Sequence, residues 1–426
     1  MKIAFYTLGC KVNQYESNWM SEQMAEQGFE VVSCDKDAEI YVVNSCTVTA
    51  KSDRKTRQAV RKFKRNHPDS IVILTGCMPQ AFPDDAEMLT EADIVTGNKS
   101  NTELPQLINE FIAKRDRIVR ISQHASGDKF SDCVINKFDG RTRAIVKIED
   151  GCNRFCSYCV IPISRGRVRS KPLDELNDEL DLLKSNGFCE VVLVGINLSA
   201  YGTDMGKSIC DAVELACSKG FERVRLGSLE PDHITDEVIG RLAVLPNFCP
   251  QFHISLQSGC DKTLKAMNRH YTSAEYFELC QKLRSSFKDA SITTDIMTGF
   301  PGESDDDFKT TCDFAEKVGF EKVHVFPYSP REGTRAAKME QLSKSVKECR
   351  AKELIKITDN IRDKYLKNQI GKTVSVLFET KTKDGFSEGY TANYTPVRVD
   401  ADIECNTISD VIITDVKDGV CIGKLK

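Results

Sequence analysis

The chain has 426 residues, 40% hydrophobic and 29% charged, with a formal net charge of −4. That length suits about two to three domains with full-sized cores, and the composition excludes a disordered or fibrous protein. The charge balance gives no bulk electrostatic case for nucleic acid, so any such case must be local. No apolar run reaches membrane-spanning length. The opening stretch, Met1 to Cys10, reads as a strand and not as a signal peptide. Eighteen cysteines without a secretory signal point to a reducing, cytoplasmic setting, with thiols used for metal or simply buried.

Residues 1–125 read as an α/β unit with a parallel sheet. Apolar runs recur at Lys2–Leu8, Ile40–Val43, Ile71–Leu74 and Ile94–Val95, with helical patterns between them such as Tyr15–Gln27 and Glu103–Ile112. Three of the strands run into a cysteine: Cys10, Cys46 and Cys77. If the strands are parallel, their carboxyl ends share one edge, where open α/β sheets bind ligands. Three distant thiols would meet there. The alternative is a small buried residue at a strand end, and Cys34, after Phe29–Val32, shows that the rule overpredicts.

Lys51–Arg65 carries eight basic residues against one acid, Asp53, in a helical pattern that starts five residues after Cys46. Such a run is commonly a solvated face. Beside a reaction centre it also suits phosphate, with Arg54, Arg57 and Arg61 as candidate contacts. Residues 116 to about 140 are polar and aperiodic, and read as a connection.

The central region, from 138 to 365, alternates strand and helix. Strands are expected at Ala144–Ile148, Val191–Val194, Val224–Leu226, Phe252–Leu256, Ile292–Met297 and Val323–Phe326. Helices are expected at Leu173–Ser185, Thr235–Leu242, Ser273–Ser285 and Asp305–Val318. Six βα units at this spacing predict a (β/α)6 partial barrel, whose chemistry sits at the carboxyl ends of the strands. Unusual residues collect at those ends: the cysteine loop after the first, Gly195 and Asn197 after the second, Glu230 after the third.

That loop, Asp150–Cys159, holds Cys152, Cys156 and Cys159 at C-x3-C-x2-C spacing. Three thiolates on a [4Fe–4S] cluster leave one iron open to a ligand, whereas a structural zinc site needs a fourth residue from elsewhere. The spacing resembles the signature of radical S-adenosylmethionine (radical SAM) enzymes, with Tyr158 at their aromatic position. A zinc knuckle remains the other reading of the same spacing.

Residues 366–426 hold five short strand-like runs, at Thr373–Glu379, Phe386–Thr391, Pro396–Val399, Asp410–Thr414 and Val420–Ile422, and predict a small closed β-barrel of OB-like type. Its eight basic residues against nine acidic ones, counted from Lys367, give no electrostatic support for RNA binding.

Over essentially its whole length the chain resembles the radical SAM methylthiotransferases. The matching pieces are Gly9–Gln14, Asn44–Thr49, Gly76-Cys77, the Cys152–Cys159 loop with Arg165-Gly-Arg167, Ser255–Gly259 and Gly299–Glu303, while the last 60 residues resemble the family's TRAM domain. The resemblance implies two [4Fe–4S] clusters, on Cys152, Cys156 and Cys159 and on Cys10, Cys46 and Cys77. It implies S-adenosylmethionine held near Tyr158, Gly195, Asn197 and Glu230, tRNA bound by the TRAM domain, an electron donor and a sulfur source. Gly9–Asn13 and Thr47–Thr49 look most like the branch that modifies N6-threonylcarbamoyladenosine. Leu226-Gly-Ser228 departs from the serine pair expected there. Rival readings are a methylthiotransferase acting on isopentenyladenosine or on a ribosomal-protein aspartate, and a non-catalytic, zinc-stabilised RNA-binding protein.

Overall fold

The structure, a computed structural model, describes residues 1–131, 133–135 and 142–426. The first α/β unit is a six-stranded parallel sheet of order β2-β1-β3-β4-β5-β6. Its strands are β1 (Lys2–Thr7), β2 (Glu30–Val32), β3 (Ile40–Ser45), β4 (Ile71–Gly76), β5 (Ile94–Thr96) and β6 (Ile118–Arg120). β3 and β4 are buried along their whole length, as central parallel strands covered on both faces must be. Helices α1 (Lys11–Glu26), α2 (Ala50–Asn66), α3 (Cys77–Ala81), α4 (Pro83–Glu87) and α5 (Leu104–Lys114) connect them. Thr49 caps α2, its hydroxyl accepting from the Ser52 amide at 3.2 Å.

β6 corrects the reading of 116 to 140 as wholly irregular: three residues carry no period, and pairing with β5 makes them a strand. The expected start of the central domain, residue 138, lies outside the described residues.

The central region contains six successive parallel strands. They are β7 (Arg143–Lys147), β10 (Glu190–Val194), β11 (Arg223–Leu226) continued by β12 (Ser228–Leu229), β13 (Gln251–Ile254), β14 (Ser291–Thr298) and β15 (Lys322–Pro327). The break between β11 and β12 falls at Gly227, where the sequence departs from the family's pattern. The short antiparallel pair β8 (Glu149–Asp150) and β9 (Arg169–Ser170) brackets the cysteine loop and helix α6 (Ile161–Arg165). The outer layer is α7 (Leu173–Ser185), α8 (Ile209–Ser218), α9 (Asp236–Ala243), α10 (Asp261–Ala266), α11 (Ser273–Ser286) and α12 (Asp305–Val318). Both α11 and α12 start with capping boxes, Thr272 with Glu275 and Ser304 with Asp307.

Helix α13 (Lys344–Lys367) then leads to β16 (Thr373–Lys381), β17 (Ser387–Thr391), β18 (Pro396–Val399), β19 (Thr407–Lys417) and β20 (Val420–Leu425). These five close into a barrel of order β16-β17-β18-β20-β19. Val376, Phe378, Val397 and Val411 fill it, and Leu366 at the end of α13 packs into the same core. The barrel docks under the amino ends of the central strands. There Arg223 donates to the Tyr390 and Ser375 carbonyls, and Arg225 to that of Ala392.

Candidate active site

The cysteine loop is held by backbone, not by regular structure. Gly151 has φ +93, and a Cβ there would stand 1.9 Å from the Arg167 carbonyl oxygen, so only glycine fits. The Cys152 amide donates to the Gly166 carbonyl at 3.0 Å and the Ser157 amide to that of Met267 at 2.9 Å. Phe155 sits at φ +51, outside the usual range for a bulky residue, with the Arg167 guanidinium 4.6 Å from its ring centroid. Burial pushes the Cys152 thiol up to about 12, and raises Cys159 further; Cys159 also feels Cys156 and Cys152. A buried arginine, Arg269, donates to Cys156 Sγ at 3.2 Å and pairs with Glu230.

The second set assembles from three strands. Cys10 follows β1 and precedes α1, Cys46 follows β3, and Cys77 opens α3 after β4. Gly9, at φ +118, lets the first two approach: a Cβ there would lie 2.8 Å from Cys46 Cβ. Burial pushes Cys77 up to about 12 and also raises Cys46; Cys77 feels Cys46 and Cys10, and Cys46 feels Cys10. Cys34 does not join them: it sits beyond the edge strand β2, its thiol donating to the Phe5 carbonyl at 3.0 Å. Asn98 Nδ2 lies 3.9 Å from Cys77 Sγ, and Arg165 Nε donates to that sulfur at 3.2 Å.

Arg165 joins the two halves. It is fully buried, at the end of α6 just past the cysteine loop, and its NH2 donates to Glu16 Oε2 on α1 at 2.9 Å. Lys147 completes the group, reaching Glu16 at 2.9 Å and Asp150 at 2.8 Å. On the other side Arg331, beyond β15, donates to Thr47 Oγ1 at 2.8 Å and pairs with Asp53 on α2. Neither Arg269 nor Arg331 carried a sequence signal, because isolated arginines in loops have no period. Arg165 sat in a family motif, but its partners Glu16 and Cys77 lie far away in sequence.

The expected cofactor-binding residues lie at the same end. Tyr158 is half-buried, its ring 6.4 Å from that of Phe300 in an edge contact. Asn197 is buried, its amide donating to Glu149 Oε2 at 2.7 Å, while its own Oδ1 has no partner among the described residues. Glu230 is committed to Arg269, with Arg154 3.7 Å away. Gly195 lines a cavity of about 720 Å³ that occupies the barrel lumen, with Cys10 and Lys11 also in its wall. The Lys11 ammonium is pushed down to about 8 by enclosure and by Arg143 and Arg225. A second space, about 160 Å³, separates Tyr158 and Cys159 from Val48 and Thr49. Asp295 lines both.

Do these residues fit metal clusters? Among the described residues no three His, Cys, Asp or Glu side chains are arranged around a single metal ion. Three thiolates on three different irons stand wider apart than three on one ion, and each trio leaves a fourth position unfilled. N–H donors aimed at the sulfurs from Arg269 and Arg165 suit thiolates, whose charge they stabilise. The unpaired Asn197 Oδ1 suits a donor on a bound ligand. The donor sets fit.

The basic helix α2 is exposed along Lys51, Arg54, Lys55, Arg61, Lys62 and Arg65. Of the three expected contacts only Arg54 makes no ion pair among the described residues. Arg57 lies 3.9 Å from Asp85, and Arg61 3.0 Å from Glu91. No described helix is long and apolar enough to cross a membrane.

A parallel six-stranded partial barrel with a three-cysteine loop after its first strand defines a radical SAM enzyme. Residues 146–315 match the Radical SAM superfamily, and residues 2–97 match a family described as uncharacterized protein family UPF0004. The chain is 39% identical over 391 residues to the threonylcarbamoyladenosine tRNA methylthiotransferase MtaB of Thermotoga maritima, covering 91% of this chain and 89% of that protein. The Bacillus subtilis enzyme of the same name is 35% identical, covering 93% and 89%. The tRNA-2-methylthio-N(6)-dimethylallyladenosine synthase of Acetivibrio thermocellus is 31% identical, covering 93% and 85%. Among solved structures, the radical SAM methyltransferase TsrM of Kitasatospora setae superposes with a TM-score of 0.57 at 14% identity, over 79% of this chain and 77% of that one. That likeness concerns the fold. The chain belongs to the radical SAM methylthiotransferases, on the threonylcarbamoyladenosine tRNA branch. It is an enzyme whose cofactors are S-adenosylmethionine and [4Fe–4S] clusters.

Proposed function

We propose that this enzyme transfers a methylthio group to C2 of N6-threonylcarbamoyladenosine beside the anticodon of tRNA. One observation carries the reading: two separate three-thiol sets, joined through the buried Arg165, in a chain that matches the tRNA methylthiotransferases nearly end to end.

Cys152, Cys156 and Cys159 hold one cluster, and Cys10, Cys46 and Cys77 the other. When bound, the clusters supply reductive cleavage of S-adenosylmethionine and the sulfur for transfer. The protein's own work is to orient and enclose. Arg269 and Arg165 donate to ligand sulfurs and so favour the thiolate form that a cluster needs. Asn197 offers its unpaired oxygen to the cofactor, Gly195 leaves room beside it, and Tyr158 walls the approach to Cys159. Glu230 acts through Arg269, holding the guanidinium against Cys156. No acid–base pair is required of the side chains.

The tRNA lies across the exposed basic face of α2, with Arg54 the freest of the three arginines, and against the small C-terminal barrel. The chain divides into an N-terminal domain (1–125), a radical SAM domain (138–365) and a TRAM domain (366–426). It works in the cytoplasm with an electron donor and a sulfur source. Mass spectrometry of tRNA nucleosides tests the reading. Deleting the gene should abolish 2-methylthio-N6-threonylcarbamoyladenosine and leave its unthiolated precursor. Loss of a methylthiolated isopentenyladenosine instead would assign the enzyme to the other branch.

A further inference from the structure

The lumen cavity is not a neutral space. Cys10 borders it, and Val12, Val194 and Leu226 give it an apolar wall. Most of its polar side chains already have a hydrogen-bonding partner. Arg362 is held by Glu321 at 3.2 Å, and Asp295 by His253 at 3.3 Å. Lys11 and Lys322 make no hydrogen bond or ion pair among the described residues. Lys322 begins β15, the edge strand of its sheet, and stands at no helix start. Lys11 is different. It opens α1, whose amino terminus has no side-chain cap, and it stands next to Cys10. The charged groups that act on it, Arg143, Arg225 and Glu190, have partners of their own, Arg143 on Glu379 at 2.9 Å and Arg225 on Glu190 at 2.8 Å. An ammonium on the cavity wall, at a helix start without a side-chain cap, suits an anionic group.

The two kinds of relative differ in what their nucleosides carry on N6: a threonylcarbamoyl group in one, a dimethylallyl group in the other. The first ends in a carboxylate and the second is wholly apolar. In adenine, C2 and C6 flank the same nitrogen. A base that presents C2 to the sulfur beside Cys10 therefore carries its N6 substituent into the adjoining space. Resting on the functional reading above, we propose that the lumen cavity receives the threonylcarbamoyl group and that Lys11 pairs with its carboxylate. Lys11 thus determines which modified adenosine is accepted, and does so by charge. A lysine merely solvated by cavity water would make no such distinction.

The test is binding by the cluster-loaded full chain to anticodon stem-loop RNAs carrying threonylcarbamoyladenosine, its methyl ester or isopentenyladenosine. The wild type should favour the acid over the ester by about tenfold, the scale of one charge-assisted hydrogen bond. Lys11→Gln should bring that ratio to about one, and Lys11→Arg should restore most of it. Iron content and visible absorption report whether the neighbouring cysteine set survives. A variant that fails to load iron is compared with equally iron-free wild-type protein, since RNA binding is read without turnover. No acid preference in the wild type, or an unchanged ratio in Lys11→Gln, overturns the assignment. Failure of the wild type to form any methylthio product on the threonylcarbamoyl RNA overturns the functional reading itself, so the two failures are distinct.

Discussion

Cys77 and Cys156 each receive an N–H from a buried arginine, at 3.2 Å in both cases. The two sets are thus built alike, yet they sit on different parts of the fold and should fail differently. Replacing Cys152, Cys156 and Cys159 with Ala should abolish 5′-deoxyadenosine formation from S-adenosylmethionine, together with all product. Replacing Cys10, Cys46 and Cys77 should leave that cleavage in place, slow and uncoupled, while no methylthio group is transferred. In each triple variant iron should fall from about eight per chain to about four. Methylthio product from the Cys10, Cys46 and Cys77 variant would show that those thiols do not hold the sulfur donor. At this scale the sequence was generous with cysteines, because spacing and strand ends mark them. It was silent on Arg269, whose partners Cys156 and Glu230 lie 113 and 39 residues away.

Among the elements, α2 shows how a sequence pattern can be right and its charges partly used. Its buried face, Thr56, Ala59, Val60 and Phe63, packs on the sheet, and the basic residues point outward as the period requires. Arg57 and Arg61, however, already face Asp85 and Glu91. Exposed pairs of this kind are weak, so phosphate can displace the acids at modest cost. Neutralising Arg54, Arg57 and Arg61 together should weaken tRNA binding and flatten its dependence on salt, with Arg54→Gln accounting for the larger part. Equal affinity and slope at low salt would make α2 a solvated face. Helices α8 and α13 went unread: α13 is rich in charge, and its buried positions, such as Ala351, Leu354 and Thr358, are too sparse for a clear apolar stripe.

For the molecule as a whole, the decisive contacts cross between parts. Glu321, just before β15, is 3% exposed and pairs with Arg362 on α13, which also reaches the Gly419 carbonyl of the small barrel at 3.4 Å. Burial raises its carboxyl from 4.5 to about 7, although Arg362 opposes the shift. The folded protein therefore keeps a proton that the unfolded chain has released. The resulting stability is complete below the unfolded value and is lost as pH rises through about 7. The loss is of the order of 3 kcal/mol over that window. Glu321→Gln should flatten the fall in denaturant midpoint between about pH 5 and pH 8. An unchanged slope would mean that other groups control it.

The sequence alone determined the alternation of strand and helix, the six-unit central region and the small β-barrel, and it singled out six cysteines as candidates. Each rests on local period or spacing, which a chain carries without folding. Strand boundaries drifted where the period weakens. β19 runs from Thr407 to Lys417, longer than the expected Asp410–Thr414, because a bulge at Ile413/Asp415 interrupts its alternation. Only the tertiary structure decided that Cys10, Cys46 and Cys77 stand at the carboxyl ends of neighbouring strands, that Arg165 ties Cys77 to Glu16, and that Lys11 lines the barrel lumen without a partner among the described residues. These are matters of which distant groups come within a few ångströms. Register, sheet order and domain docking set those distances, and no local pattern encodes them.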